Sequence, residues 1–283
     1  MAKILLHFEG DITKHNHSIS LRTLGTSLTH LQAAINRAHL DVKYGEVWKN
    51  ARLKHEDYED TELWANPPQE GGYIIDFVND SPKLKKTLKR VVDAITPAIE
   101  KSKSKALATA GSLAQQSDLR KEQISKGIIE PTELEDYIPT ASQLPYGDRA
   151  INKEIDLLAG VIRTPNAGRS TIELFIDGEK SSKFRFNRIQ SENFHSFISK
   201  RSLGDPLVFS ANVLELDAKN KSARIHNLVT EKDIKMTFAG DDSFEKIKPF
   251  LGIKTPMRFY GSPIYEGGTY DFKGGDVFFI GLA

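Results

Sequence analysis

Lys3-Ile4-Leu5-Leu6-His7-Phe8-Glu9 opens the chain in alternation, with Ile4, Leu6 and Phe8 on one face and Lys3, His7 and Glu9 on the other. This is the period-two pattern of a strand with one buried side. Ile19 and Leu21 resume the alternation after Gly10-Asp11-Ile12-Thr13-Lys14-His15-Asn16-His17, a polar stretch whose glycine, aspartate and asparagine suit a turn. An antiparallel strand pair is expected. From Leu24 the period lengthens, and Leu24, Leu28, Leu31 and Ile35, extended by Ala34 and Ala38, share one face of a helix packed on that pair. Gly25 interrupts the helix at a cost of about 1 kcal/mol relative to alanine, which predicts a close backbone approach there.

Working outward, residues 46–69 carry Trp48, Trp64 and Pro67-Pro68 among many charges, a composition of loops and short edge strands. After Gly71-Gly72, the run Tyr73, Ile74, Ile75, Phe77 and Val78 predicts a strand buried on both faces that closes the N-terminal sheet near residue 80. Ser81-Pro82 then reads as a cap followed by proline at the first helical position. Leu84, Leu88, Val91, Val92, Ile95 and Ile99 form the apolar stripe of a long helix, kinked or restarted at Pro97. Residues 101–126 suit a helical hairpin or a linker, and the domain boundary falls in the acidic, proline-punctuated stretch around Pro131, Pro139 and Pro145. A short helix with Ile151, Ile155 and Leu158 ends at Gly160.

Toward the C-terminus the period returns to two. Ile172, Leu174 and Ile176 pair across Gly178-Glu179-Lys180 with Phe184 and Phe186 as a hairpin, and Phe194, Phe197 and Ile198 predict a helix lying on it. Strands follow around Leu207–Val213, Ile225, Ile234–Phe238, Met257–Phe259, Tyr270–Phe272 and Val277–Ile280. A helix opened by Asp242 and Glu245 buries Phe244, Ile247 and Leu251 before Gly252, with Pro249 bending its last turn. Many short strands with one inserted helix predict a small barrel, and Gly267-Gly268 and Gly274-Gly275 are turn glycines. The expected fold is α+β: an N-terminal sheet with packed helix over 1–80, a helical middle and linker over 81–140, and a β-rich, barrel-like domain over 141–283.

Composition narrows the chemistry. Of 283 residues, 39% are hydrophobic and 27% charged, which suits a globular chain with core enough for two domains. The formal charge of +1 confines any nucleic-acid binding to local patches. Zero cysteines exclude disulfides, thiolate metal sites and cysteine nucleophiles. The N-terminus lacks the apolar core of a signal peptide, and no run approaches the roughly 18 apolar residues of a spanning helix, so a cytoplasmic location without membrane contact is expected.

Phe8-Glu9-Gly10, His17-Ser18-Ile19 and Leu24-Gly25-Thr26-Ser27-Leu28 together resemble the opening of an uncharacterised two-domain family of bacterial and phage proteins. The resemblance covers roughly the first eighty residues, with a weaker echo from Val208 to Leu282. It implies a bacterial or phage protein encoded near mobile elements or defence genes, and it brings no catalytic residues. Some members carry a membrane segment between their domains, where this chain has a basic helix.

Nucleotide-cradling and acyl-transfer motifs are absent, and no catalytic, cofactor or metal residue is assigned. His7, His15 and His17 could ligate a metal, but no carboxylates of diagnostic spacing accompany them. Asp205, Asp217 and Lys219 resemble a Mg²⁺ nuclease set, yet Asp217 stands in a turn and not on the rigid strand that chemistry needs. Glu130, Glu133, Glu135 and Asp136 read as an acidic linker. The strongest signal is basic: Lys83, Lys85, Lys86, Lys89, Arg90, Lys101, Lys103 and Lys105 face two acids, Asp93 and Glu100, between residues 81 and 105. Such a face suits phosphates or an acidic partner. The leading expectation is a non-enzymatic binding or assembly protein of a bacterial or phage system, in defence or counter-defence. It would engage a protein partner through the helical middle and the barrel edge, with homo-oligomerisation as a further option. Nucleic-acid binding by the basic helix is the alternative, and a metal-dependent nuclease ranks third.

Overall fold

The computed structural model describes residues 1–14, 18–45, 47–69, 73–103, 111–137, 145–253 and 255–283. In chain order the elements are β1 (Ala2–Glu9), β2 (Thr13–Lys14), β3 (Ser18–Ile19), α1 (Leu21–Tyr44), α2 (Tyr58–Thr61), β4 (Trp64–Ala65), β5 (Tyr73–Asn79) and α3 (Pro82–Lys103). They continue with α4 (Leu113–Ser125), β6 (Thr132–Glu133), α5 (Tyr146–Ala159), β7 (Thr171–Asp177), β8 (Ser181–Asn187), α6 (Arg188–Ile198), β9 (Arg201–Leu203) and β10 (Leu207–Asp217). The last are β11 (Ser222–Asn227), β12 (Lys232–Thr237), α7 (Asp241–Ile247), β13 (Met257–Glu266) and β14 (Val277–Leu282). The fold is α+β, and it divides into two units that interleave along the chain: Met1–Val47, Ala51–Leu107 and Gly147–Ser199 form the first, and Trp48–Asn50, Ala108–Tyr146 and Lys200–Ala283 the second.

The first unit is built on a five-stranded antiparallel sheet in the order β4-β5-β1-β7-β8. β1 lies at its centre, Leu6 facing Ile75 on one side and Leu174 on the other. Its alternation decides the core: Ala2, Ile4, Leu6 and Phe8 are fully buried together with Ile172, Leu174 and Ile176 of β7. Against them pack Leu31, Ala34 and Ile35 of α1, Leu84, Leu88 and Val92 of α3, Ile151 and Ile155 of α5, and Phe194 of α6. Each of the Leu, Ile, Val and Phe side chains contributes about 1.5–3 kcal/mol by leaving water. Ser20 caps α1 by accepting from the Thr23 N–H at 3.1 Å, and Gly45 ends it with φ +67°.

Several expectations are corrected here. Ile19 does not pair with β1: β3 forms a small hairpin with β2, and Leu21 already belongs to α1, so the neighbours of β1 come from far along the chain. β5 is not buried on both faces, since only Ile75 and Asp76 are buried, and Asp76 meets Lys3 at 3.0 Å. Gly25 has open space where a Cβ would stand, so no close approach explains it. The hairpin β7–β8 and its helix belong to the first unit, not to a C-terminal domain over 141–283, because an alternating strand fits either sheet and the apolar face of β1 selects it. α3 runs unbroken through Pro97, with Ile95 and Ala98 buried on either side. Gly71-Gly72, which precede the expected strand, lie outside the described residues.

The second unit is a barrel. β10 pairs with β11, β11 with β12, β12 in parallel with β14, β14 with β13, and β13 returns to β10, closing five strands. Numbered within the barrel, the order is 1-2-3-5-4, with α7 between the third and fourth strands. That is the strand order of an OB-type barrel. Phe209, Phe259 and Phe279 fill the interior, with ring centroids 5.4 and 5.8 Å apart. Gly261 lets these rings close up, since a Cβ there would lie 2.7 Å from Val277 and 3.0 Å from the Phe209 ring. A bulge between Val213 and Glu215 bends β10 so that it can pair on both sides.

Two sequence readings fail in this unit. Tyr270–Phe272 is no strand; it belongs to the loop joining β13 to β14. α7 starts at Asp241 with Gly240 as its cap and no side-chain cap, and Leu251 is exposed, because Pro249 reduces the last turn to a short 3-10 segment.

Candidate functional site

A groove of about 420 Å³ crosses the outer face of the barrel. Strand alternation points Ala223, Ile225, Ile234 and Met236 inward, which leaves Ser222, Arg224 and His226 of β11 and Asp233, Lys235 and Thr237 of β12 facing out. Across the ladder Arg224 stands opposite Lys235 on one side and Glu215 on the other. Its guanidinium donates to Glu215 at 2.5 Å and lies 3.7 Å from Asp233, which also receives His226 at 2.9 Å. The floor is thus a preset network of alternating charge.

Two loops bound the groove. At one, Asp217 is the last residue of β10, paired with Ser222, and does not stand in the turn expected from the sequence; its carboxylate accepts from the Asn220 N–H of the turn that follows at 3.0 Å and from its side-chain amide at 2.5 Å, and the backbone bond above all keeps its carboxyl below the usual range. Lys219 and Lys221 project from the same turn, exposed. The opposite loop, residues 267–276, is anchored by rings: Tyr270 meets Phe272 edge-on at 5.1 Å, and Tyr137 stacks on Phe272 at 5.5 Å. Burial, reinforced by Asp271, pushes the Tyr270 phenol well above its ordinary value, so it stays neutral.

Along this loop runs the short segment Trp48–Asn50. The Lys49 N–H donates to Asp271 at 2.7 Å, the Lys49 ammonium donates to Asp276 at 2.5 Å, and a Cβ at Gly274 would stand 3.3 Å from the Trp48 ring. Lys232 sits over that ring with Nζ 5.2 Å from its centroid, a cation–π contact. Lys49 and Asn50 line the groove together with Lys235 and Gly274.

The predicted basic face is partly consumed within the first unit. Arg90 is clamped between Asp41 and Asp148 at 2.6 Å each, Lys83 meets Asp60 at 3.0 Å, and Lys89 meets Asp93 at 2.9 Å. Lys101 acts electrostatically on Asp148. Lys85 is half-buried, Lys86 and Lys103 are exposed, and Lys105 lies outside the described residues.

The remaining candidates also disperse. His15 and His17 lie outside the described residues, while His7 faces Glu173 at 3.4 Å. Asp205 pairs with Arg120 at 3.3 Å and Glu133 with Arg258, so neither joins Asp217. Among the described residues no three metal-ligating side chains converge. Asp156 gathers His195 at 2.9 Å and Arg163 at 2.6 Å, yet the nearby Ser191 hydroxyl is fully buried and donates to the Ala159 carbonyl, so no nucleophile is poised. A larger cavity of about 700 Å³ lies beside the first turns of α1, lined by Ser20, Arg22, Thr23 and Asp11, but Asp11 is engaged by the Arg169 N–H.

Comparison with protein-family models, with curated proteins and with solved structures finds no match. Of the groove residues the sequence singled out Asp217, in a nuclease-like set that does not assemble; Arg224, Asp233 and Lys235 went unread because they are ordinary solvent-face strand residues until the barrel closes. Trp48 and Lys49 lie more than 150 residues upstream of them.

Proposed function

We propose that this chain is a non-enzymatic binding protein whose barrel groove receives single-stranded nucleic acid. The observation that carries the reading is the coincidence of the 1-2-3-5-4 topology with a groove on its second and third strands, lined by Lys49, Arg224 and Lys235, with Lys232 nearby over the Trp48 ring. Topology alone would be analogy. OB-type barrels take their ligands on that face, and the site adds Lys49, Arg224 and Lys235, interleaved with Glu215, Asp217 and Asp233, and the Trp48 ring beside them. The basic helix is the weaker candidate: Arg90 is clamped between two carboxylates and Lys85 is half-buried, whereas Lys49, Arg224 and Lys235, though themselves partnered by acids, line one recess. A bacterial or phage setting, and a cytoplasmic one, belong to the same proposal; no helix among the described residues is long and apolar enough to cross a membrane.

The test is fluorescence anisotropy with labelled twelve-base DNA and RNA strands across a salt series. Engaging three or four phosphates gives a slope of log K against log salt of about −2 to −3. Arg224→Glu with Lys235→Glu should remove at least ten-fold in affinity, while Lys85→Glu with Lys86→Glu should change it little. Duplex bound as tightly as single strand, or the reverse pattern of variants, would reject the groove.

A protein partner is the second reading, favoured by exposed Leu214 and Leu251, the latter bridged to Val213, the neighbour of Leu214 at the β10 bulge. Native mass spectrometry of the wild-type chain and of Leu214→Asp distinguishes self-association at this patch from a monomer.

A further inference from the structure

The barrel is least closed between β12 and β14. Their pairing is confined to Met236 with Val277 and Thr237 with Phe278, so the first half of β12 has no strand on that side. The segment Trp48–Asn50 lies along this stretch. It reaches Gly274 before β14 and Lys232 at the start of β12, and it is pinned by two separate contacts from Lys49 to Asp271 and Asp276. Asp271 is itself buried and also accepts from the Lys273 N–H at 3.0 Å, so loop and segment share one anchor. Lys49 and Lys273 are thus tied to the same carboxylate, with Gly274 next in the chain.

We infer that Trp48 is the base-stacking residue of the groove, with Lys232 as its exchange partner: an arriving unstacked base takes the ring face that Lys232 covers, and the displaced ammonium pairs with the phosphate beside that base. This rests on the nucleic-acid reading of the groove and deepens it by naming the part of the ligand recognised. Three observations support it. The ring stands at the rim of the groove, half-exposed, beside the groove residues Lys49 and Gly274. Its orientation is fixed by a backbone and a side-chain contact of the next residue, which lowers the entropy lost on stacking. The cation over the ring is a contact of about 0.5–1 kcal/mol at an exposed site, which a stacked base at about 1–3 kcal/mol outweighs. A single base-sized aromatic makes recognition tolerant of base identity, since every base offers a π-face.

The experiment uses the full chain carrying Trp64→Phe, which leaves Trp48 as the sole indole. Titration with a twelve-base thymidine strand is expected to quench its emission in step with binding, while an abasic strand of equal length binds about ten-fold more weakly and leaves emission unchanged. Trp48→Leu should lose about ten-fold in affinity for the thymidine strand, and Trp48→Phe should recover most of it. Lys232→Met should flatten the salt slope by about 0.7. Near-ultraviolet circular dichroism of each variant shows whether the barrel is intact, and the quenching result needs no change at Trp48. Binding by the parent chain without quenching, with equal affinity for the abasic strand, would overturn the stacking role and leave the groove reading standing. No binding by the parent chain at 50 mM salt would overturn both.

Discussion

Individual side chains carry two sharp expectations. Gly25 stands inside α1 with open space around it, so Gly25→Ala should stabilise the chain by about 1 kcal/mol, read as a raised urea midpoint without change in slope. A fall in stability would mean that the glycine has a role the packing does not reveal. Asp57 is the opposite kind of residue. Burial would raise its carboxyl, but Lys43 at 2.5 Å, the Lys54 N–H at 2.8 Å, His39 and Tyr44 outweigh that and hold it at about 2. A carboxyl lowered on folding contributes stability above its ordinary value near pH 4, and that contribution disappears as pH falls toward 2. Asp57→Asn should cost about 3 kcal/mol at neutral pH and flatten the acid limb of the stability curve between pH 4 and 2. Neither property was legible in the sequence: Gly25 invited the wrong explanation, and nothing local marks Asp57 as the hub of four donors.

Elements show where periodicity suffices and where it does not. The stripes of α1 and α3 and the alternation of β1, β7 and β8 were readable because burial on one face leaves a period in the chain. Tyr270–Phe272 mimicked a strand because a loop anchored by rings is as aromatic as one. The basic stripe of α3 looked like a binding face because charges on other helices are invisible along one helix. Arg90→Met should cost about 3–5 kcal/mol by leaving Asp41 and Asp148 face to face, a loss measured by chemical denaturation. At the start of α6, Asn187 and Gln190 satisfy each other's backbone N–H groups at 2.8 and 3.0 Å. Asn187→Ala should cost about 1 kcal/mol and raise hydrogen exchange in the first turn of α6 above that in its last.

For the molecule as a whole, fold class and barrel could be read from the sequence, but the division of the chain between its two units could not. An apolar, alternating hairpin does not say which sheet it joins, so β7 and β8 sat within the C-terminal half until pairing with β1 placed them in the first unit. The groove was hidden for a related reason, its rim and floor being drawn from residues 48–50 and from strands far downstream. Interleaving of this kind has a kinetic consequence. During synthesis β1 can pair with β5 early, but its other edge stays open until β7 emerges about 160 residues later, past the whole of α4. Contacts so distant in sequence slow folding, and an open central strand rich in Ile, Leu and Phe invites pairing with other nascent chains. A chain truncated after residue 140 should therefore collect in the insoluble fraction when expressed, whereas one ending after Ser199 retains every strand of the first sheet and should remain in the supernatant.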